Sequence, residues 1–157
     1  MLKTVTVGEK ELKFKSSAAT NILYKKMFGI DILIEFSEYA KNSKELRMMK
    51  EKINELRKDE SKKPEEILEA MNNLMNSDAY KLSAAFQSET LPRLAFIMYL
   101  EANESVETLF KKLTEEQYLF WLLGIDQDEL LAVTGQVMDI WTSGTRNTSK
   151  EKNAVGR

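Results

Sequence analysis

The chain has 157 residues, 43% of them hydrophobic and 31% charged, the balance of a soluble globular fold with a core of its own. It contains no Cys, which excludes disulfides, thiolate nucleophiles and zinc-thiolate sites, and no His, which removes the commonest general base and transition-metal ligand. The formal net charge is −2 but is unevenly spread: residues 1–63 carry a net of +5, residues 64–143 a net of −10 and residues 144–157 a net of +3. An acidic, aromatic-bearing body argues against nucleic-acid binding.

Thr4-Val5-Thr6-Val7 and Glu11-Leu12-Lys13-Phe14-Lys15 alternate with period two around Gly8-Glu9-Lys10. This predicts a β-hairpin within residues 1–15, with Val5, Val7, Leu12 and Phe14 facing inward. A lone ribbon is marginal in water, so it should lie on a helix or pair with a strand from another subunit. The same alternation leaves no continuous apolar run of the kind a secretory leader carries, and no later stretch is long enough to span a bilayer. A cytoplasmic protein, with no membrane partner, is expected.

Ser16-Ser17 offer caps for a first helix from about Ala18 to Phe28, with Gly29 placed to end it. A longer helix opens at Asp31 and runs to about Lys58. Along it Ile32, Tyr39, Leu46 and Ile53 recur every seven residues, joined by Met49 and Leu56. Glu35 and Asn42 interrupt the pattern, so it is half of a coiled-coil seam. It fits either a self-association surface, and hence a homo-oligomer, or the inner face of an amphipathic globular helix.

After a charged break at Lys58–Lys63, Pro64 with Glu65 and Glu66 makes a helix start, followed by a stripe of Ile67, Leu68, Met71, Leu74 and Met75. Asn76-Ser77-Asp78 caps a segment from Ala79 to about Gln87, and Pro92 opens the most apolar helix, containing Leu94 to Leu100, expected at the centre of the core. Ser105 begins a short helix to Leu113. Thr114-Glu115-Glu116-Gln117 is a capping box opening a helix that ends at Gly124, and Asp126 to about Ser143 forms the last helix. The fold expected is mainly α: a helical domain of six to seven helices over residues 1–143 with a small N-terminal hairpin, then a flexible polar tail over residues 144–157.

No motif points to catalysis. The run Gly144–Lys150 lacks the second Gly of a phosphate loop and follows a helix instead of a strand. Glu65, Glu66 and Glu69 leave all-carboxylate Mg²⁺ binding open, but they equally complement the dipole of a helix start, and no cofactor is expected. Residues 101–143 carry two Lys against nine acidic residues, which speaks against a DNA-reading helix-turn-helix. The eight Met residues suit core filling or a surface that adapts to varied helical partners. Trp121 and Trp141 are core residues or interface anchors. The candidate partner contacts are accordingly Met71, Met75, Trp121 and Trp141, together with Asn147, Thr148 and Lys150 in the tail.

The order of parts resembles the tail assembly chaperones of long, flexible-tailed phages and prophages of Gram-positive bacteria. The parts that carry the resemblance are the hairpin Val5–Phe14, the run Ala18-Ala19-Thr20-Asn21-Ile22-Leu23-Tyr24-Lys25-Lys26-Met27-Phe28-Gly29-Ile30-Asp31, the core segment Leu94-Ala95-Phe96-Ile97-Met98-Tyr99, the segment Ser105-Val106-Glu107-Thr108-Leu109-Phe110, and a helix ending at Trp141 trailed by Asn147-Thr148-Ser149-Lys150. The charged middle, Lys41–Lys63, is longer than in a minimal member, and Thr108 stands where similar proteins look acidic. The resemblance implies a non-enzymatic protein that binds the helical tape measure protein, keeps it soluble and helps recruit tail tube subunits, the latter chiefly through a longer form made by translational frameshifting. The alternative is a self-associating helical regulatory or scaffold protein.

Overall fold

The computed structural model describes the backbone of residues 2–154 and the side chains of residues 2–143. The fold is mainly α with an N-terminal two-stranded antiparallel hairpin, as the sequence implies. Strands β1 (Leu2–Val7) and β2 (Lys10–Lys15) pair in the register Val5↔Leu12 and Val7↔Lys10, so the hairpin closes within one chain. Its two-residue loop places Gly8 at φ 60 while Glu9 stays at negative φ, the pattern of a type II′ turn, which matches the twist of the flanking strands. Val5 and Phe14 are buried, and Val7 and Leu12 on the same face are half-buried.

The helices follow as α1 (Ala18–Phe28), α2 (Ile32–Lys58), α3 (Pro64–Asn76), α4 (Asp78–Ala85), α5 (Leu91–Asn103), α6 (Val106–Lys112), α7 (Glu115–Gly124) and α8 (Gln127–Ala154). Most ends carry the local chemistry read from the sequence. Ser17 caps α1 in a reciprocal box with Thr20, and Gly29 ends α1 at φ 72, a left-handed position that only Gly takes without penalty. Ser77 caps α4, Ser105 caps α6, and the Thr114 N–H donates to Gln117 Oε1 at 3.0 Å at the head of α7. At the head of α8, the Glu129 N–H donates to Asp126 Oδ1 at 2.8 Å and the Asp126 N–H donates to Glu129 Oε2 at 3.1 Å, a reciprocal box with Asp in the Ser/Thr role.

Two boundaries differ from the expectation. A five-residue π turn, Phe86–Thr90, joins α4 to α5, and Thr90 keeps right-handed helical angles, so Pro92 does not open a new helix. The physical reason is proline itself. Pro92 has no N–H for the carbonyl four residues earlier and its ring crowds that carbonyl, and a widened π turn relieves both without breaking the helix. Counted as one interrupted helix, the run Asp78–Asn103 makes seven helices. The second difference is at the C-terminus, where α8 continues to Ala154, eleven residues past the expected end at Ser143. The segment expected as a flexible tail therefore begins within this helix; its side chains, and residues 155–157 altogether, lie outside the described residues.

The packing separates the chain into two compact units, Met1–Ile32 with Glu89–Arg157, and Leu33–Ser88. In the first, α5 packs on β2, α1 and α8 and also touches α6 and α7. Leu94, Ala95, Phe96, Ile97 and Met98 are all essentially inaccessible to solvent, which only a helix covered on every side shows. In α8, Val133, Val137, Ile140 and Trp141 are buried, a single stripe at helical spacing. In the second unit α3 packs on α4, and the Tyr39 ring stacks on Phe86 at 4.1 Å between centroids. Asn42, Leu46, Ile53, Ala79, Ser83 and Phe86 are its buried side chains.

Candidate functional site

Surfaces left apolar by the fold are the candidates, because they remain available once the helices have buried their inner faces. In the first unit, α7 has two characters. Tyr118 and Trp121 turn inward, with Trp121 packing 5.6 Å from Phe96 and Tyr118 at 5.4 Å from both Phe96 and Phe28. Burial raises the Tyr118 hydroxyl pKa above the ordinary tyrosine range. Leu119, Phe120 and Leu123 lie on the opposite side, 58%, 72% and 84% exposed. Positions i, i+1 and i+4 of a helix share one face, so these three side chains form a continuous apolar strip facing solvent.

Beside the strip, Phe28, Ile30, Arg93, Glu115, Tyr118 and Leu119 line an open cleft of about 240 Å³. Arg93 sits over the Phe28 ring at 5.4 Å and pairs with Glu89 at 3.3 Å, so its charge is partly answered within the cleft wall. A second depression of about 260 Å³ is lined by Lys10, Leu12, Tyr99, Trp121, Gly124, Ile125 and Glu129. Its floor is tied by the Lys10–Glu129 ion pair at 2.5 Å, which raises the Lys10 pKa.

In the second unit, α3 is the outlying element. Its apolar stripe is strong in sequence, yet none of its residues is buried: Leu68 and Met75 are exposed, and Ile67, Met71 and Leu74 are half-covered. Met71 and Leu74 line a shallow groove with Lys50, Ile53, Asn54 and Arg57, and the Arg57 guanidinium donates to the Met71 sulfur at 3.3 Å. Glu65, Glu66 and Glu69 are exposed on the first turns of α3. Among the described residues no cluster of acidic side chains is arranged to hold a metal ion.

No family model, curated protein or solved structure matches this chain. The site must therefore be judged from its own residues.

The residues singled out from the sequence are divided between the two units. Met71 and Met75 lie on α3, whereas Trp121 and Trp141 belong to the other unit. Trp121 is half-buried among aromatic rings at the edge of the second depression. Trp141 is only 3% exposed, and its indole N–H donates to Asn21 Oδ1 at 3.0 Å, so this ring is committed to the core. Asn147, Thr148 and Lys150 carry side chains outside the described residues. On the α2 seam, Ile32, Leu46 and Ile53 are buried and Tyr39, Met49 and Leu56 are half-buried. The heptad spacing thus marks an inner helix face.

Two features went unread in the sequence. The strip Leu119-Phe120-Leu123 lies in the run Tyr118–Leu123, which is apolar on every side, so the pattern names no outer face. The signal was the excess itself: a ten-residue helix at the edge of a core can bury only one face. The other is Glu101, a carboxylate 2% exposed in α5 that accepts hydrogen bonds from the hydroxyls of Ser17, at 2.5 Å, and Thr20. Those hydroxyls are the two members of the α1 capping box. Helix α1 has no acidic residue in its own first turn, and Glu101 supplies the complementary charge from α5.

Proposed function

We propose that this chain is a tail assembly chaperone of a long, flexible-tailed phage or prophage, acting in the bacterial cytoplasm by binding, without catalysis. Its client is the tape measure protein, whose long helices display apolar stripes that must be covered until tail tube subunits polymerise around them. The observation that carries the reading is the uncovered strip of α7, where Phe120 and Leu123, 72% and 84% exposed, are the most exposed large hydrophobic side chains among the described residues and adjoin Leu119 on one face. The Met-bearing stripe of α3 is a second adaptable apolar surface. The order of parts, from the closed hairpin through the capped first helix to the helix containing Trp141, supports the same assignment.

Helix-in-groove recognition is read through apolar anchors at helical spacing, and the α7 strip supplies one turn of apolar surface for such anchors to meet. Recruitment of tail tube protein belongs to a longer, frameshifted form in this reading. Self-association through the α2 seam is less favoured, because Leu46 and Ile53 are already buried. The test is co-expression with a tape measure protein of a long, flexible-tailed phage. The soluble fraction of that protein is expected to rise several-fold when this chain is present. Equal pelleting with and without the chain would overturn the proposal.

A further inference from the structure

The stretch of sequence that carries the outer strip of α7 is acidic. Between Lys112 and Arg146 the sequence has no Lys or Arg but six acidic residues: Glu115, Glu116, Asp126, Asp128, Glu129 and Asp139. Glu116 lies on the strip's own face, one turn before Phe120, and Glu115 lines the adjoining cleft with Leu119. Asp126 and Asp128 are exposed just beyond its C-terminal end. Glu129 is answered by Lys10, and Arg93 by Glu89. Lys112, exposed at the end of α6, is the nearest cation in sequence. An apolar strip flanked along the chain by carboxylates on both sides selects its occupant by charge as well as by shape.

We infer that the Leu119–Phe120–Leu123 strip is the docking site for an amphipathic helix that carries Lys or Arg at the ends of its apolar stripe. A second copy of this chain is a poor occupant, because two such strips would bring Glu115 and Glu116 of one against the carboxylates of the other. An anionic membrane surface is repelled for the same reason. The basic segment 144–157 of this chain has the right charge but only Ala154 and Val155 as apolar residues, too few to fill the strip. The inference rests on the proposed role as a helix-binding chaperone but adds a property that role does not require, a preference for basic clients.

The experiment is fluorescence anisotropy of the full chain with two labelled peptides of about 18 residues, five helical turns. Both have one leucine stripe, and they carry either Lys or Glu at the same flanking positions. The Lys peptide is expected to bind at least about tenfold more tightly than the Glu peptide, with an advantage that shrinks as salt is raised. Phe120→Ser with Leu123→Ser is expected to weaken it by about tenfold or more, while Leu82→Ser at an exposed position of α4 leaves it within about twofold. Both α7 side chains are solvent-facing, so circular dichroism should match wild type; if it does not, Leu123→Ser alone is the variant to use. Equal binding of the two peptides, or unchanged binding by the α7 variant, overturns the inference. So does a concentration-dependent dimer in sedimentation that the α7 substitutions dissolve, because a second copy would then own the strip. A wild-type chain that binds the Lys peptide through α7 yet leaves the tape measure protein insoluble refutes the chaperone role and keeps the docking site. A chain that keeps its client soluble equally well with the α7 substitutions does the reverse.

Discussion

Replacing Glu101 with Ala should be among the most damaging single changes in the chain. The carboxylate is buried, and its two oxygens accept from Ser17 and Thr20, whose own oxygens accept the Ala19 and Ser17 backbone N–H groups at 3.1 and 2.9 Å. Hydrogen bonds to a charged acceptor are worth about 1.5–3 kcal/mol each, and truncation leaves both hydroxyl donors without this acceptor. The expected cost is about 3–5 kcal/mol, or roughly 6–20 °C in Tm at about 2–4 °C per kcal/mol for a chain of this size. Urea unfolding followed by tryptophan fluorescence is the suitable assay, because Trp121 and Trp141 both lie in the unit that contains Glu101. Thr20→Val combined with Glu101→Ala should show about 1–2 kcal/mol of coupling. The exposed neighbour Glu104→Ala should stay within about 0.5 kcal/mol. A loss below about 1 kcal/mol for Glu101→Ala, or strict additivity with Thr20→Val, would refute the network as a stabilising element.

Gly29→Ala is expected to cost about 1 kcal/mol, because an L side chain at φ 72 is strained even though a Cβ there meets nothing within 4 Å; Gly29→Asn should recover part of it in the same melts. Leu46→Glu and Ile53→Glu should each destabilise the Leu33–Ser88 unit by about 3 kcal/mol or more, since a charge would enter a buried face. Retained helicity with dissociation of an oligomer would instead restore the zipper reading. The Lys10 pKa is raised above the ordinary lysine value of 10.5 by its hydrogen bond to Glu129, so the pair contributes stability that is fully present below pH 10.5 and lost as pH rises through the higher folded value. Alkaline melts of wild type and Lys10→Met should therefore converge above that range, and a constant difference would contradict it.

What could be read from the sequence was whatever local chemistry determines. The hairpin followed from alternation around Gly8, and α1 from Ser17 and Gly29. The central place of α5 followed from a run too apolar to be half-exposed. What escaped depends on residues far apart. Glu101 meets Ser17 and Thr20 across more than eighty positions, and nothing in the pattern of α5 announces a partner for its one buried acid. Pro92 misled because its local meaning, a helix start, is overridden when a π turn absorbs the missing hydrogen bond. The heptad of α2 carried the correct face but not its partner, since a zipper and a globular helix share the same spacing. For α7, composition gave the helix and hid the site: only packing decides which side of an all-apolar helix stays uncovered.

Hydrogen–deuterium exchange of this chain, free and in complex with a helical segment of a tape measure protein, tests the proposed chaperone role most directly. Protection should appear in α7 around Leu119–Leu123, with a second, weaker region in α3 around Leu68–Met75. No change in exchange at any segment, or protection confined to the α2 face around Leu46 and Ile53, would contradict a chaperone that holds its client on exposed apolar helices.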